Sequence, residues 1–105
     1  MKKQDNFFAR VFAIVAKVPA GYVTTYGAIA KAMGTRDSRR VGHALHANRD
    51  PTNISCHRVV FSDGRLAPNY AFGGPDEQRK RLEFEGVEFT ATYGVNLTKY
   101  LYIFK

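Results

Sequence analysis

Residues 24–47 read TTYGAIAKAMGTRDSRRVGHALHA, and this stretch decides the fold. Its first half repeats apolar residues at helical spacing, with Thr25 as a candidate N-cap and Gly34 as a stop. Its second half repeats the pattern after Asp37 or Ser38, either of which can cap a helix. Two short helices joined by a tight turn that contains glycine are typical of a helix-turn-helix.

This helix-turn-helix, over about residues 25–47, has predicted helices on both sides and little predicted strand. Helical spacing of apolar residues predicts an amphipathic helix over residues 6–18, and a charged helix is predicted over residues 76–85. Alternation over residues 87–97 predicts a short hairpin or two extended pieces. We therefore predict a mainly α, winged helix-turn-helix-like domain with a small β element.

Length and composition limit the class of protein. The 105 residues, 45% of them hydrophobic, fit one compact domain over residues 1–105. The single cysteine can form no internal disulfide, and no stretch resembles a membrane span or a cleaved leader. We therefore expect a cytoplasmic monomer with no membrane partner, associated with the nucleoid if it comes from a prokaryote.

The charge of the chain is strongly positive. Sixteen Lys and Arg against nine Asp and Glu give a net charge of +7, which favours a polyanionic partner. Arg39 and Arg40 begin the third predicted helix, where the helix dipole disfavours cations. Helix N–H groups and guanidinium together suit a phosphate, whereas the alternative is a solvated arginine pair. We predict nucleic acid as the partner.

The only cysteine, Cys56, lies in the segment NISCHRVV at residues 53–60. A thiolate is a nucleophile, and His57 or Arg58 beside it would favour the ionised form. Neighbours in an extended run point to opposite faces, so adjacency in sequence does not establish contact. The alternative is a structural cysteine that packs as a small apolar residue. We expect the active-site segment to span about residues 53–74.

The histidines do not suggest a metal site. His43, His46 and His57 have no carboxylate or second cysteine at a partner spacing. No phosphate-cradling glycine motif or dinucleotide fingerprint is present. We therefore predict neither a metal nor a cofactor.

Taken in order, these elements resemble the active-site and DNA-binding domain of the O6-alkylguanine-DNA alkyltransferase family, which includes the alkyltransferase-like proteins. The resemblance covers nearly the whole chain. Six elements carry it, namely TTYGAIA at 24–30, SRRVG at 38–42, Asn48, SCHRVV at 55–60, NYAFGG at 69–74 and LEFEG at 82–86.

The resemblance implies a stoichiometric methylated-DNA-protein-cysteine methyltransferase, in which an alkyl group moves irreversibly from guanine O6 to Cys56. In family terms, His57 accepts the thiol proton through a water and Glu85 orients His57. Asn48 braces the active-site turn. Tyr26 donates a proton towards guanine N3 and helps to rotate the phosphate of the nucleotide.

The resemblance also implies that double-stranded DNA carrying O6-alkylguanine is bound from the minor groove and that the nucleotide is flipped out. Arg39 would fill the gap left in the stack. The expected DNA-binding residues are Thr25, Tyr26, Ser38, Arg39, Arg40, Gly42 and Arg58. The expected base pocket is formed by Val59, Tyr70, Ala71, Phe72 and Gly73.

The chain departs from the family pattern in three ways. Ser55 stands where family members usually have proline, so the restriction that proline places on the preceding residue is lost. Ala71 and Phe72 precede the two glycines, where active members carry a serine. The usual N-terminal domain has no counterpart. This outline is closer to the alkyltransferase-like proteins, which bind alkylated DNA without repairing it and usually replace the cysteine with tryptophan.

Three hypotheses follow from the residues and the resemblance. The first is alkyl transfer to Cys56, which the retained Cys56, His57, Asn48, Tyr26 and Glu85 favour. The second is a damage sensor that binds without transfer and recruits other repair proteins. The third is a helix-turn-helix regulator with a structural cysteine.

Overall fold

The computed structural model describes residues 3–50, 52–66, 72–90 and 94–104. In chain order, the elements are α1 (Lys3–Val15), β1 (Thr24–Thr25), α2 (Tyr26–Ala32), α3 (Ser38–His46), a 3-10 turn (Cys56–Arg58), β2 (Val59–Val60), α4 (Gly74–Phe84) and α5 (Leu97–Tyr100). The prediction of a mainly α fold with a small β element is confirmed. Within these ranges no helix has the length and apolar character that a membrane crossing requires.

The two helices of the predicted helix-turn-helix form where their caps predict them. The Thr25 hydroxyl accepts a hydrogen bond of 3.0 Å from the Ala28 N–H at the start of α2. The carboxylate of Asp37 accepts one of 3.1 Å from the Arg40 N–H at the start of α3. Gly34 follows α2 with a φ of +78°, which allows the chain to turn into the loop before α3.

The outer helices differ from their predicted limits. The helix predicted over residues 6–18 ends at Val15, and the chain then tightens through i→i−3 bonds such as Val18 N–H to Val15 O, 3.1 Å. Val18 is nevertheless only 1% exposed, so this apolar residue contributes to the core although it lies outside the helix. At the other end, α4 begins at Gly74, two residues before the predicted start, because Gly73 adopts a φ of +121° and a proline suits the first turn.

The core consists of two apolar clusters joined by the strand pair. Helices α1, α2 and α3 supply most of the first cluster, and Val59 belongs to it. Val60 belongs to the second cluster, with Leu82 from α4 and residues of the C-terminal segment. Successive residues of a strand point to opposite faces, so β2 connects the two clusters. Its parallel partner is β1, with Thr24 opposite Val59 and Thr25 opposite Val60.

The C-terminal segment contains both an extended pair and an unpredicted helix. Phe89 and Val95 form an antiparallel bridge, which agrees with the predicted hairpin or extended pieces. The short helix α5 follows, capped by Asn96, whose side chain accepts a 3.0 Å hydrogen bond from the Thr98 N–H. A helix of four residues is too short to produce a periodic apolar pattern.

Gly64 offers a test of this packing. Its φ is +89°, and a Cβ at this position would clash with the carbonyl oxygen of Val95 and lie tightly against its nitrogen, at 3.2 Å. We expect Gly64→Ala to lower the free energy of unfolding by about 2 kcal/mol or more, from backbone strain plus the clash. Urea unfolding followed by circular dichroism measures this loss.

The control is Gly34→Ala, where φ is +78° but no atom lies within 4 Å of the added Cβ. It should cost only the backbone penalty, about 1 kcal/mol. Equal losses in the two variants would contradict the steric part of the prediction.

Candidate functional site

Cys56 begins the 3-10 turn that leads into β2 and is 7% exposed. Asn48, which lies just after α3, binds the chain at this turn through its side chain. Its amide nitrogen donates to the Ile54 carbonyl at 2.9 Å and to the Cys56 sulfur at 3.6 Å, while its carbonyl accepts from the Asp50 N–H at 2.8 Å. Asn48 is 1% exposed, so its amide is committed to the turn and the thiol.

His57 is held by Glu85, the C-cap residue of α4. The His57 Nε2 lies 3.0 Å from the Glu85 Oε2. Arg58 donates to both oxygens of the same carboxylate, at 2.9 Å and 2.5 Å, and its third donor reaches the Val18 carbonyl at 2.7 Å. One carboxylate therefore binds two consecutive side chains of the turn.

The charge states of this pair follow from burial and partners. Burial alone would raise the pKa of Glu85, but hydrogen bonds from Arg58 and His57 outweigh it and lower the pKa. Burial lowers the pKa of His57, although Glu85 opposes this. An ionised carboxylate only accepts, so Nε2 of a neutral His57 carries the hydrogen and Nδ1 keeps a lone pair. Nδ1 is buried without a hydrogen-bond partner among the described residues.

The two remaining candidate groups are protonated at neutral pH. Burial raises the pKa of the Cys56 thiol, although Asn48 and Arg81 oppose the increase. Burial, together with the nearby Cys56, raises the pKa of Tyr26 to about 12. The site thus combines a thiol, a neutral imidazole with an open lone pair and a phenol that can donate a proton.

The seven expected DNA-binding residues fall into two groups. Arg39 is exposed on α3, and Ser38 is half-buried beside it. Arg40 is exposed, but its guanidinium lies 3.9 Å from the centre of the Phe7 ring, which joins α3 to α1.

The other expected contacts are engaged inside the protein. The Thr25 hydroxyl caps α2, and the Arg58 guanidinium is bound to Glu85 and Val18. Gly42 lies against the ring of Tyr26, whose atoms are 3.7 Å from the position of an added Cβ. A methyl group at position 42 would therefore lie in ordinary van der Waals contact with Tyr26.

Three members of the expected base pocket lie within the described residues. Val59 is fully buried in the first core cluster, Phe72 packs partly buried against that cluster, and Gly73 is exposed at the N-cap of α4. Tyr70 and Ala71 lie outside the described residues. No group of three or more His, Cys, Asp or Glu side chains that could hold a metal ion occurs in the described part of the chain.

Two side chains near the site carried little sequence signal. Gln78 is fully buried, and its amide nitrogen donates to the carbonyls of His57 and Val59. It stands within the run DEQRKR, which resembles a solvated helix face. The Phe61 ring lies 5.8 Å from that of Tyr26, centre to centre. Tyr26 and Phe61 directly follow β1 and β2, so the parallel pairing of these strands brings the two aromatics together.

The buried His57 predicts how stability changes with pH. Its pKa is lowered from the ordinary 6.5 in the folded state, so the unfolded chain takes up this proton more readily. The free energy of unfolding should therefore fall as the pH drops from above 6.5 towards the lower pKa of the folded protein. Glu85, also lowered, adds a loss of the same sign at more acid pH. Urea unfolding at a series of pH values should show a shallower fall for His57→Gln just below pH 6.5, and parallel curves would contradict the prediction.

Comparisons with known proteins agree with the fold. Residues 6–87 match the family model for the DNA-binding domain of 6-O-methylguanine DNA methyltransferase. The chain is 35% identical over 105 residues to alkyltransferase-like protein 1 of Schizosaccharomyces pombe, covering 95% of this chain and 97% of the relative. It is 41% identical over 103 residues to the DNA base-flipping protein of Escherichia coli, covering 95% and 77% respectively.

Among solved structures, the fold is similar to that of S. pombe Atl1 in complex with damaged DNA containing O6-carboxymethylguanine. The TM-score is 0.83 at 36% identity, and the match covers 97% of this chain and 98% of Atl1. The resemblance seen in the sequence is confirmed, and the chain belongs to the O6-methylguanine DNA methyltransferase family.

Proposed function

We propose that this protein binds double-stranded DNA carrying O6-alkylguanine, flips the damaged nucleotide out of the stack and transfers the alkyl group to Cys56. One observation carries the proposal. The Cys56 sulfur is held by Asn48 at 3.6 Å, and the neighbouring His57 is bound to Glu85 while its Nδ1 is left without a partner among the described residues. A purely structural cysteine needs no such arrangement.

The proposed reaction begins with the thiol proton. Because the pKa of the Cys56 thiol is raised, attack requires a base, and the lone pair on Nδ1 of His57 supplies one through a bridging water. The imidazolium that forms is stabilised by the Glu85 carboxylate at 3.0 Å. His57 therefore takes up the proton only as the thiolate forms.

Alkyl transfer forms one bond and breaks another. The thiolate attacks the alkyl carbon, an S–C bond forms and the C–O6 bond breaks, so that its electron pair moves into the guanine ring. Tyr26, whose high pKa keeps its hydroxyl protonated, donates a proton to guanine N3, and solvent then returns to Tyr26 the proton that His57 took from the thiol. The products are guanine and S-alkylcysteine, and no step regenerates the thiol, so each molecule reacts once.

Flipping has an energetic cost of a few kcal/mol, which contacts with DNA must offset. The net charge of +7 supports attraction to the phosphate backbone. Arg39 is exposed in the first turn of α3, and within the described residues it makes no hydrogen bond or ion pair, so its guanidinium is available to enter the stack. Arg40, which lies over Phe7, is better placed to keep α3 against α1.

A second candidate function is damage sensing without transfer, with recruitment of other repair proteins. The match to alkyltransferase-like protein 1 over nearly the full length of both chains favours it. The raised pKa of a buried Cys56 is also compatible with a thiol that stays unreactive. Both candidates share the same DNA-bound, flipped state and differ only in whether Cys56 reacts.

Intact-protein mass spectrometry distinguishes the two candidates. After incubation with a duplex containing O6-methylguanine, we expect one methyl group per protein, mapped to the peptide that contains Cys56. Cys56→Ala should abolish the adduct while retaining preferential binding to the damaged duplex, because the substitution leaves the proposed DNA contacts in place. Unmodified wild-type protein that still prefers the damaged duplex would establish the sensor, and no preference would exclude both candidates.

Arg39→Ala tests the proposed DNA contact. We expect affinity for the damaged duplex to fall about tenfold, within the range of about 1–3 kcal/mol for an arginine that contacts bases. The melting temperature should be unchanged because Arg39 is exposed. Fluorescence anisotropy on damaged and intact duplexes measures both affinities.

The matched control is Lys80→Ala, which removes one exposed positive charge from α4. It should lower both affinities only slightly and equally. Equal affinity for damaged DNA before and after Arg39→Ala would remove Arg39 from the mechanism.

A further inference from the structure

Gln78 lies in α4 with its side chain fully buried. It is the only polar residue of α4 among the fully buried large side chains, and Leu82 is the other member from that helix. A buried amide is costly unless its hydrogen bonds are made, so the contacts of Gln78 indicate why an amide occupies this position.

The amide nitrogen of Gln78 donates hydrogen bonds to one short piece of main chain. It donates to the His57 carbonyl at 3.1 Å and to the Val59 carbonyl at 2.8 Å. The two hydrogens of an NH₂ group suit two acceptors on either side of a single residue, here Arg58. Gln78 therefore binds the backbone at the point where the 3-10 turn passes into β2.

The same helix holds the same segment at a second point. Glu85 follows Gln78 by seven residues, which is about two helical turns and ~10 Å along one face of α4. Glu85 binds the side chains of His57 and Arg58, whereas Gln78 binds the main chain. The segment that carries His57 is thus bound at two points, one in the middle of α4 and one at its C-cap.

We infer that Gln78 is a positioning residue, whose amide holds the main chain of residues 57–59 against α4 so that the His57 imidazole stays hydrogen-bonded to Glu85. This role is distinct from that of Glu85, because it acts on the backbone and touches no reacting atom. Its consequence for alkyl transfer rests on the proposed function, whereas its effect on the His57–Glu85 hydrogen bond does not.

The first test uses the hydrogen bond itself. In protein labelled with ¹⁵N-histidine, the Nε2 hydrogen of His57 should give a slowly exchanging resonance that Glu85→Gln removes or shifts. Gln78→Met keeps the length and volume of the side chain but lacks both donors, so we expect this resonance to be lost through exchange.

The matched control is Leu82→Ala, because Leu82 is also fully buried on α4 but packs in the second core cluster. We expect both variants to be less stable than the wild type, so the spectra are recorded at a temperature at which each variant is fully folded. Loss of the resonance in Gln78→Met with retention in Leu82→Ala supports the inference. Retention in Gln78→Met, or equal loss in both variants, overturns it.

Gln78→Asn provides the same test if Gln78→Met does not fold. It retains the amide but is one methylene shorter, so it cannot reach both carbonyls. We again expect loss of the resonance, and its retention would overturn the inference.

The second test measures alkyl transfer and DNA affinity separately. Gln78→Met should transfer about tenfold more slowly or worse from the damaged duplex, since small displacements of reacting groups have effects of this size. Its affinity for that duplex should equal that of the wild type. An unchanged transfer rate would contradict the inference. If the wild-type protein transfers nothing, the proposed transfer fails, and the histidine resonance alone then decides the role of Gln78.

Discussion

The candidate site depends on the hydrogen bonds that the Glu85 carboxylate accepts from two neighbouring side chains. This carboxylate accepts hydrogen bonds from both Arg58 and His57, and Arg58 continues to the Val18 carbonyl beyond the end of α1. The C-terminus of α4, the turn that carries Cys56 and the end of α1 are thereby joined through one anion. Both side chains of the Arg58–Glu85 pair are mostly shielded from solvent, so removing one partner would leave the other charge without its compensating hydrogen bonds. The same hydrogen bonds thus hold these parts of the fold together and fix the position of the His57 imidazole.

Three parts of the fold restrain the turn that carries Cys56. Asn48 holds it from the end of α3, β1 pairs with the strand that follows it, and α4 binds it through Gln78 and Glu85. Such restraint has a chemical consequence. In the proposed reaction a thiol with a raised pKa needs a base, and burial lowers the pKa of His57, which favours the neutral imidazole that this role requires.

The three arginines near the site have different surroundings. Arg58 and Arg40 are engaged within the protein, one with Glu85 and the other over the Phe7 ring. Arg39, one residue before Arg40, extends from the same helix turn into solvent. Adjacent arginines on a helix point in different directions, so a pair that looks uniform in sequence divides into a structural member and an exposed one. The net charge alone does not reveal this division.

Local patterns in the sequence predicted the helix-turn-helix, its Thr25 cap and the set of reactive side chains, because capping and helical periodicity depend on neighbours in the chain. They left Asp37 and Ser38 as alternative caps of α3, and the structure selects Asp37. They could not determine the parallel pairing of β1 with β2, the burial of Gln78 or the engagement of Arg58, since each depends on a residue about 20 to 40 positions away. The sequence by itself thus determined the family, the helix-turn-helix and the chemical groups available. Only the tertiary structure decided which of those groups are buried, charged and in contact, because desolvation and long-range hydrogen bonds exist only once α4 packs against the cysteine turn.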